Sequence, residues 1–75
     1  MWLTFKQKLI ALNLCDLHET GIDPISYFDE WGGGTNYFFK IFMDKKLIVK
    51  DSKTGIYSFD YYKALCLIYK GRKAA

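Results

Sequence analysis

The stretch Glu30–Val49, EWGGGTNYFFKIFMDKKLIV, decides how this chain is read. Gly32, Gly33 and Gly34 stand in a row between two aromatic-rich segments. Glycine loses the most backbone entropy on ordering, so three together need a structural reason. Directly after them, Thr35 and Asn36 supply the short polar side chains that cap a helix N-terminus. The helix predicted from Thr35 runs to about Lys46. Phe38, Phe39, Ile41, Phe42 and Met43 are too many apolar residues for one narrow stripe on it, so some must face outward or toward a partner. At Leu47 the pattern changes: Leu47-Ile48-Val49-Lys50 is a β-branched run of strand length.

Downstream, Ile56-Tyr57-Ser58-Phe59 is a second such run, and the turn-rich Asp51-Ser52-Lys53-Thr54-Gly55 lies between the two, which predicts a β-hairpin. Asp60 then caps a last helix from Tyr61 to about Lys70. Tyr62, Leu65, Cys66, Ile68 and Tyr69 are available there for burial, Gly71 is expected to close the helix, and Arg72 to Ala75 are expected to fray. Upstream, residues 3–19 read as a helix whose core stripe is Phe5, Leu9, Leu12 and Cys15, widened by Leu3, Ile10, Leu14 and Leu17. Gly21 is a stop signal just past it. Asp23 and Pro24 suit the N-cap and first position of a short second helix reaching about Trp31, with Ile25, Phe28 and Trp31 inward. There is no internal repeat, linker or low-complexity tract.

Seventy-five residues allow one domain, residues 1–75, and a core of modest size. A hydrophobic share of 51% and an aromatic share of 19% exclude a disordered chain and give that core large rings to bury. Trp2, Tyr27, Trp31, Tyr61, Tyr62 and Tyr69 exceed what so small a core can hold, and leftover Tyr and Trp favour interfaces. The first and last helices are therefore the expected surface of a homodimer. Cys15 and Cys66 lie among apolar residues and fit no zinc spacing with the single His18; both read as core or interface thiols in a reducing compartment rather than as a disulfide. No metal, cofactor or small-molecule ligand is expected. No apolar run reaches the roughly 18 residues of a membrane span. The N-terminal MWLTFKQKLIALNLCDLHE is too polar for a signal peptide, so the expected location is the cytoplasm.

Charge divides the chain. In residues 1–33 two lysines face five carboxylates, a net of −3, and in residues 34–75 nine Lys or Arg face three carboxylates, a net of +6. A basic second half points to an anionic partner such as nucleic acid, although a solvated lysine face has the same composition. No catalytic constellation is present: His18 has Asp16 and Glu19 nearby in sequence, but they do not converge on one helix face, and no Ser or Cys has an adjacent base. The chain is not expected to be an enzyme. The glycines lack the Lys-Ser/Thr of a phosphate-binding loop and follow a helix rather than a strand. A tight turn between two helices is the preferred reading of them, with a flexible hinge as the alternative.

The order helix, short helix, glycine turn, helix, hairpin, helix resembles the winged helix-turn-helix superfamily over about residues 3–70. The most specific part is Phe39-x-x-Phe42-x-x-x-Lys46-Leu47-Ile48-Val49, where Phe39 and Phe42 match the superfamily's two core residues and Leu47-Ile48 the opening of its first wing strand. Lys46 departs from the pattern, which usually has Gly there. The resemblance implies an α+β, mostly helical fold with three helices, a β-hairpin wing and a C-terminal helix. It implies a double-stranded DNA-binding transcriptional regulator, and small Lys- and Tyr-rich proteins of this shape are frequent in archaeal viruses and plasmids, which would place it in a host cytoplasm. Carried over residue by residue, Thr35, Asn36, Tyr37 and Lys40 would meet DNA from the third helix, and Lys50, Lys53 and Thr54 from the wing. Asn36 reads equally well as an N-cap, Tyr37 as a core aromatic, and the wing lysines as protection for an edge strand. An aromatic third helix with few cations also fits a protein-interaction module on the same fold, an adaptor or a virus-encoded inhibitor.

Overall fold

In the computed structural model, which describes residues 3–73, the elements follow in the order α1 (Phe5–Glu19), a 3-10 helix (Pro24–Phe28), a single 3-10 turn (Gly33–Thr35), α2 (Tyr37–Asp44), β1 (Ile48–Lys50), β2 (Tyr57–Phe59) and α3 (Tyr61–Lys73). The fold is α+β and mostly helical, with three α-helices and a two-stranded antiparallel sheet. Trp2, Ala74 and Ala75 lie outside the described residues.

α1 starts at a reciprocal cap. The Gln7 backbone N–H donates to Thr4 Oγ1 (3.2 Å), and the Thr4 N–H donates to Gln7 Oε1 (3.1 Å). This satisfies two of the N–H groups that a helix start leaves open. Its inward face is Gln7, Ala11, Leu14 and Cys15. That corrects the stripe expected from the sequence: Cys15 is buried, but Phe5, Leu9 and Leu12 are exposed. α1 is apolar on two opposite sides, and periodicity finds an apolar face without saying which one enters the core. α1 packs against α3, and Ala11 of α1 and Ala64 of α3 are both completely buried.

α1 ends at Gly21 as expected, at φ +84. Ile22 N–H donates to Leu17 O and Gly21 N–H to His18 O, the bond pair that closes a helix on a left-handed residue. The short second helix is not an α-helix and stops at Phe28. Pro24 has no N–H, and Ser26 and Asp29 each donate to a carbonyl three residues back, Asp23 and Ser26, so the segment takes the tighter 3-10 geometry. Phe28 is buried and Ile25 half-buried, whereas Trp31 is 61% exposed, against expectation.

α2 runs from Tyr37 to Asp44, shorter at both ends than the helix expected over 35–46. Phe39 and Phe42 are buried, as the two core residues of this helix should be, and Phe38 is half-buried. The helix closes through Leu47 N–H to Phe42 O (2.8 Å) and Lys46 N–H to Met43 O (3.0 Å), with Lys46 itself left-handed at φ +66. β1 and β2 pair with Ile48 opposite Phe59, Val49 opposite Ser58 and Lys50 opposite Tyr57. Asp60 N–H to Leu47 O and Asp51 N–H to Ile56 O continue the ladder one step at each end, so the hydrogen-bonded hairpin spans the residues expected of it.

Asp60 caps α3 through Lys63 N–H (3.0 Å). α3 continues through Gly71 to Lys73 rather than ending there. Glycine tolerates helical angles at a cost of about 1 kcal/mol against Ala, so without the pattern that closes a helix it does not end one. Of the residues offered for burial on α3 only Ile68 is fully buried; Leu65 is half-buried, and Tyr62, Cys66 and Tyr69 are exposed. Both cysteines are free thiols. The core is Leu3, Ala11, Leu14, Cys15, Phe28, Phe39, Phe42, Leu47, Ile48, Ala64 and Ile68, drawn from both long helices, the 3-10 helix, α2 and β1, with Leu3 just before α1 and Leu47 just before β1. Among the described residues no helix is long and apolar enough to cross a membrane.

Candidate nucleic-acid interface

The glycines form the turn into α2. Gly32 sits at φ +97 and Gly33 at φ +54, both in the left-handed half of the map, where a Cβ is strained. The Gly32 carbonyl then accepts from Thr35 N–H (3.0 Å) and from Thr35 Oγ1 (2.6 Å), which fixes the single 3-10 turn. Asn36 is the N-cap. Its Oδ1 accepts from Phe38 N–H (2.8 Å) and Phe39 N–H (3.2 Å), and its Nδ2 donates to Trp31 O (2.8 Å). Both ends of this amide are committed to backbone, which is the capping role weighed against base contact. Backbone and side-chain bonds of Thr35 and Asn36 together hold the segment as a built turn.

On α2 the burial of Phe39 and Phe42 turns Tyr37, Lys40 and Asp44 outward. Tyr37 is 69% exposed and is therefore not a core aromatic. Met43 is half-buried against the core. Thr35 is exposed beside Tyr37, but its hydroxyl proton is already given to Gly32 O. In the hairpin the Asp51 carboxylate organises the tip by accepting from Lys53 N–H (2.7 Å) and Thr54 N–H (3.4 Å), and Thr54 Oγ1 accepts from Ile56 N–H (3.2 Å). These side-chain bonds stand in for ladder bonds and fix the loop. Lys50, Lys53 and Thr54 are all exposed, and the Lys50 ammonium lies 5.6 Å from the centre of the Tyr57 ring.

Helix and hairpin are joined by rings. Phe39 packs edge-on to Tyr57 with centroids 5.0 Å apart, and to Phe28 at 5.2 Å. The seven candidate residues thus fall in two groups, Thr35 to Lys40 and Lys50 to Thr54, mounted on one core, and all but the half-buried Asn36 are exposed. Trp31 was not among the site residues expected from the sequence, although it was among the surplus aromatics. It stands exposed over a cleft of about 200 Å³ lined also by Ile10, Tyr27, Phe28, Asn36 and Phe38, at the start of α2. The signal for it was its place among the aromatic residues too numerous for so small a core. The ends of α1 and α3 meet on another side: His18 stacks on Tyr61 at 4.3 Å, and the Tyr61 hydroxyl donates to Glu19. This bond pushes the Tyr61 phenol up to about 12, because the anion would face the Glu19 carboxylate without a proton to share. Burial, with Glu19 and Asp16 nearby, pushes the Cys15 thiol up to about 11, which leaves it un-ionised at neutral pH.

No protein-family model, curated protein or solved structure matches the chain.

Proposed function

We propose that this chain is a winged helix-turn-helix protein that binds double-stranded DNA in a sequence-specific way, as a small transcriptional regulator. α2 is the helix offered to the major groove, and the β1–β2 hairpin is the wing. The observation that carries this reading is the pairing of two exposed groups on one ring-packed body: Tyr37 and Lys40 on α2, and Lys50, Lys53 and Thr54 on the hairpin. Tyr37 and Lys40 point away from the core on the first turn of α2, the part of a recognition helix that reaches base edges and flanking phosphates. The hairpin lysines would follow the backbone and add affinity without adding much sequence preference. Asn36 contributes by fixing the helix start, and Thr35 by fixing the turn before it.

One observation favours a second reading. The outward side of α2 carries a single cation, Lys40, with Tyr37 and Asp44, and the exposed Trp31 stands next to it. An aromatic surface with balanced charge suits a protein partner better than a polyanion. The test is fluorescence anisotropy against duplex DNA as salt is raised. The DNA reading expects log affinity to fall with log salt by several units. Each contact removed, by Lys40→Ala or Lys53→Ala, should reduce that slope by about 0.9. Absence of binding at low salt would refute the DNA reading and turn attention to a protein that fits Trp31 and Tyr37.

A further inference from the structure

We infer that the outward face of α1 is the contact surface for a second copy of this chain, with the two α1 helices lying antiparallel. The inference stands apart from the DNA reading and is tested without DNA. Phe5, Leu9 and Leu12 are 75%, 46% and 36% exposed, on the side of α1 opposite Gln7, Ala11 and Leu14. Their spacing of four and then three residues is the apolar repeat of a helix that pairs with another helix. Beside this stripe runs a groove of about 390 Å³ between α1 and α3, lined by Phe5, Lys8, Leu9, Leu12, Ile68 and Tyr69. Tyr69 is 55% exposed and Tyr62, two turns earlier on the same side of α3, is 75% exposed.

Area and charge name the occupant. Taking about 200 Å² for a whole large side chain, these five residues expose on the order of 500–600 Å². That is the upper end of what a monomer leaves open, and most of the roughly 800 Å² per partner in a standard interface. A two-fold pair uses the same patch twice, so the patch must complement itself. α1 does so in one orientation only. Lys6 and Lys8 lie in its first half, Asp16 and Glu19 in its second. A parallel pair sets lysine against lysine and carboxylate against carboxylate. An antiparallel pair sets the lysine end of each helix against the acidic end of the other, while Leu9 of one copy meets Leu12 of the second.

The experiment is the solution mass by sedimentation equilibrium or light scattering, at micromolar to high micromolar concentration, with far-UV circular dichroism to check folding. The wild type is expected at twice the 8.8 kDa of one chain. Leu9→Glu, outside the core, should keep the helical spectrum and weaken association at least about tenfold. Lys8→Glu alone and Asp16→Lys alone should each weaken it about three- to tenfold, since each change turns two symmetry-related attractions into repulsions. The variant carrying both changes should recover dimerisation, because its charges are exchanged and still opposite. A monomeric wild type, or a dimer indifferent to Leu9→Glu, would overturn the interface. A double variant as weak as the single ones would overturn the antiparallel orientation.

Discussion

Lys46 holds a left-handed backbone angle, φ +66, in the same chain that solves the same problem with glycine at Gly21, φ +84. The two helix ends are closed by the same pair of bonds, Ile22 to Leu17 with Gly21 to His18, and Leu47 to Phe42 with Lys46 to Met43. A residue with a Cβ in this conformation costs about 1–2 kcal/mol. Lys46→Gly removes that strain. Two effects offset it: glycine frees the unfolded chain by about 0.4–1 kcal/mol, and the loss of a cation at a helix C-terminus costs about 0.3–1 kcal/mol. Lys46→Ala loses the same cation but keeps the strain, so the comparison of the two variants isolates the backbone. The Gly variant is expected to be more stable than the Ala variant by about 0.5–1 kcal/mol, roughly 2–8 °C in Tm for a domain of this size. Gly21→Ala supplies the mirror case. Nothing lies within 4 Å of a Cβ added there, so its expected loss of about 1 kcal/mol is a backbone effect alone. The assay is thermal unfolding by circular dichroism at one fixed protein concentration, since any self-association makes Tm depend on concentration. A Lys46→Gly protein no more stable than Lys46→Ala would refute the reasoning.

Two further outcomes follow from the turn and from the contact between α1 and α3. Gly32→Ala should cost about 1–2 kcal/mol in urea unfolding, because φ is +97 and the new Cβ would lie 3.0 Å from Thr35 Oγ1. Gly34→Ala, where φ is not left-handed and the nearest atom is 4.0 Å away, should be neutral or stabilising by up to about 1 kcal/mol; equal losses at both sites would mean that the loop is not the built turn described. The Tyr61 phenol is raised to about 12 by its bond to Glu19, so the stability that this bond contributes is complete below pH 10, the ordinary value, and is lost as pH rises from 10 to 12. Tyr61→Phe keeps a ring against His18 and lacks the hydroxyl, so the gap in Tm between wild type and variant should shrink across that window; a constant gap would remove the bond from the explanation.

What the sequence revealed depended on how local the deciding physics was. The hairpin was legible because Asp51 to Gly55 is turn chemistry that acts on its own neighbours, and the bonds from Asp51 to Lys53 and Thr54 are of that local kind. The caps at Asp23, Asn36 and Asp60 were legible for the same reason. The burial of Phe39 and Phe42 was legible from the resemblance that their spacing carries, and the tight turn between the second and third segments from its glycines. The orientation of α1 was not. Phe5, Leu9 and Leu12 form a better apolar stripe than Gln7, Ala11 and Leu14, and only tertiary packing, in which α1 meets α3 and the 3-10 helix, decides in favour of the second set. The 3-10 form of the second segment was likewise hidden, since Asp-Pro opens either kind of helix. Of the candidate site, the exposure of Lys40 could be read from its spacing against Phe39 and Phe42 and that of Lys50, Lys53 and Thr54 from the hairpin, whereas Tyr37 read equally well as a core aromatic and the exposure of Trp31 depends on where Gly32 turns the chain.

Tyr27, Phe28, Phe39 and Tyr57 form an unbroken row, each ring meeting the next edge to face at 5.0–5.2 Å. The row starts in the 3-10 helix, passes through α2 and ends in β2, so the spacing of the outer surfaces is dictated from within. Surface and scaffold are thereby separable. Tyr37, Lys40, Asp44 and Lys53 are exposed and outside this row, and Lys50 only lays its ammonium over the Tyr57 ring at its end, so these five can be exchanged as a set, while Phe28 and Phe39 cannot. The chain thus offers a compact frame for randomised libraries, in which new binding specificities are selected on five exterior positions while the interior stays constant.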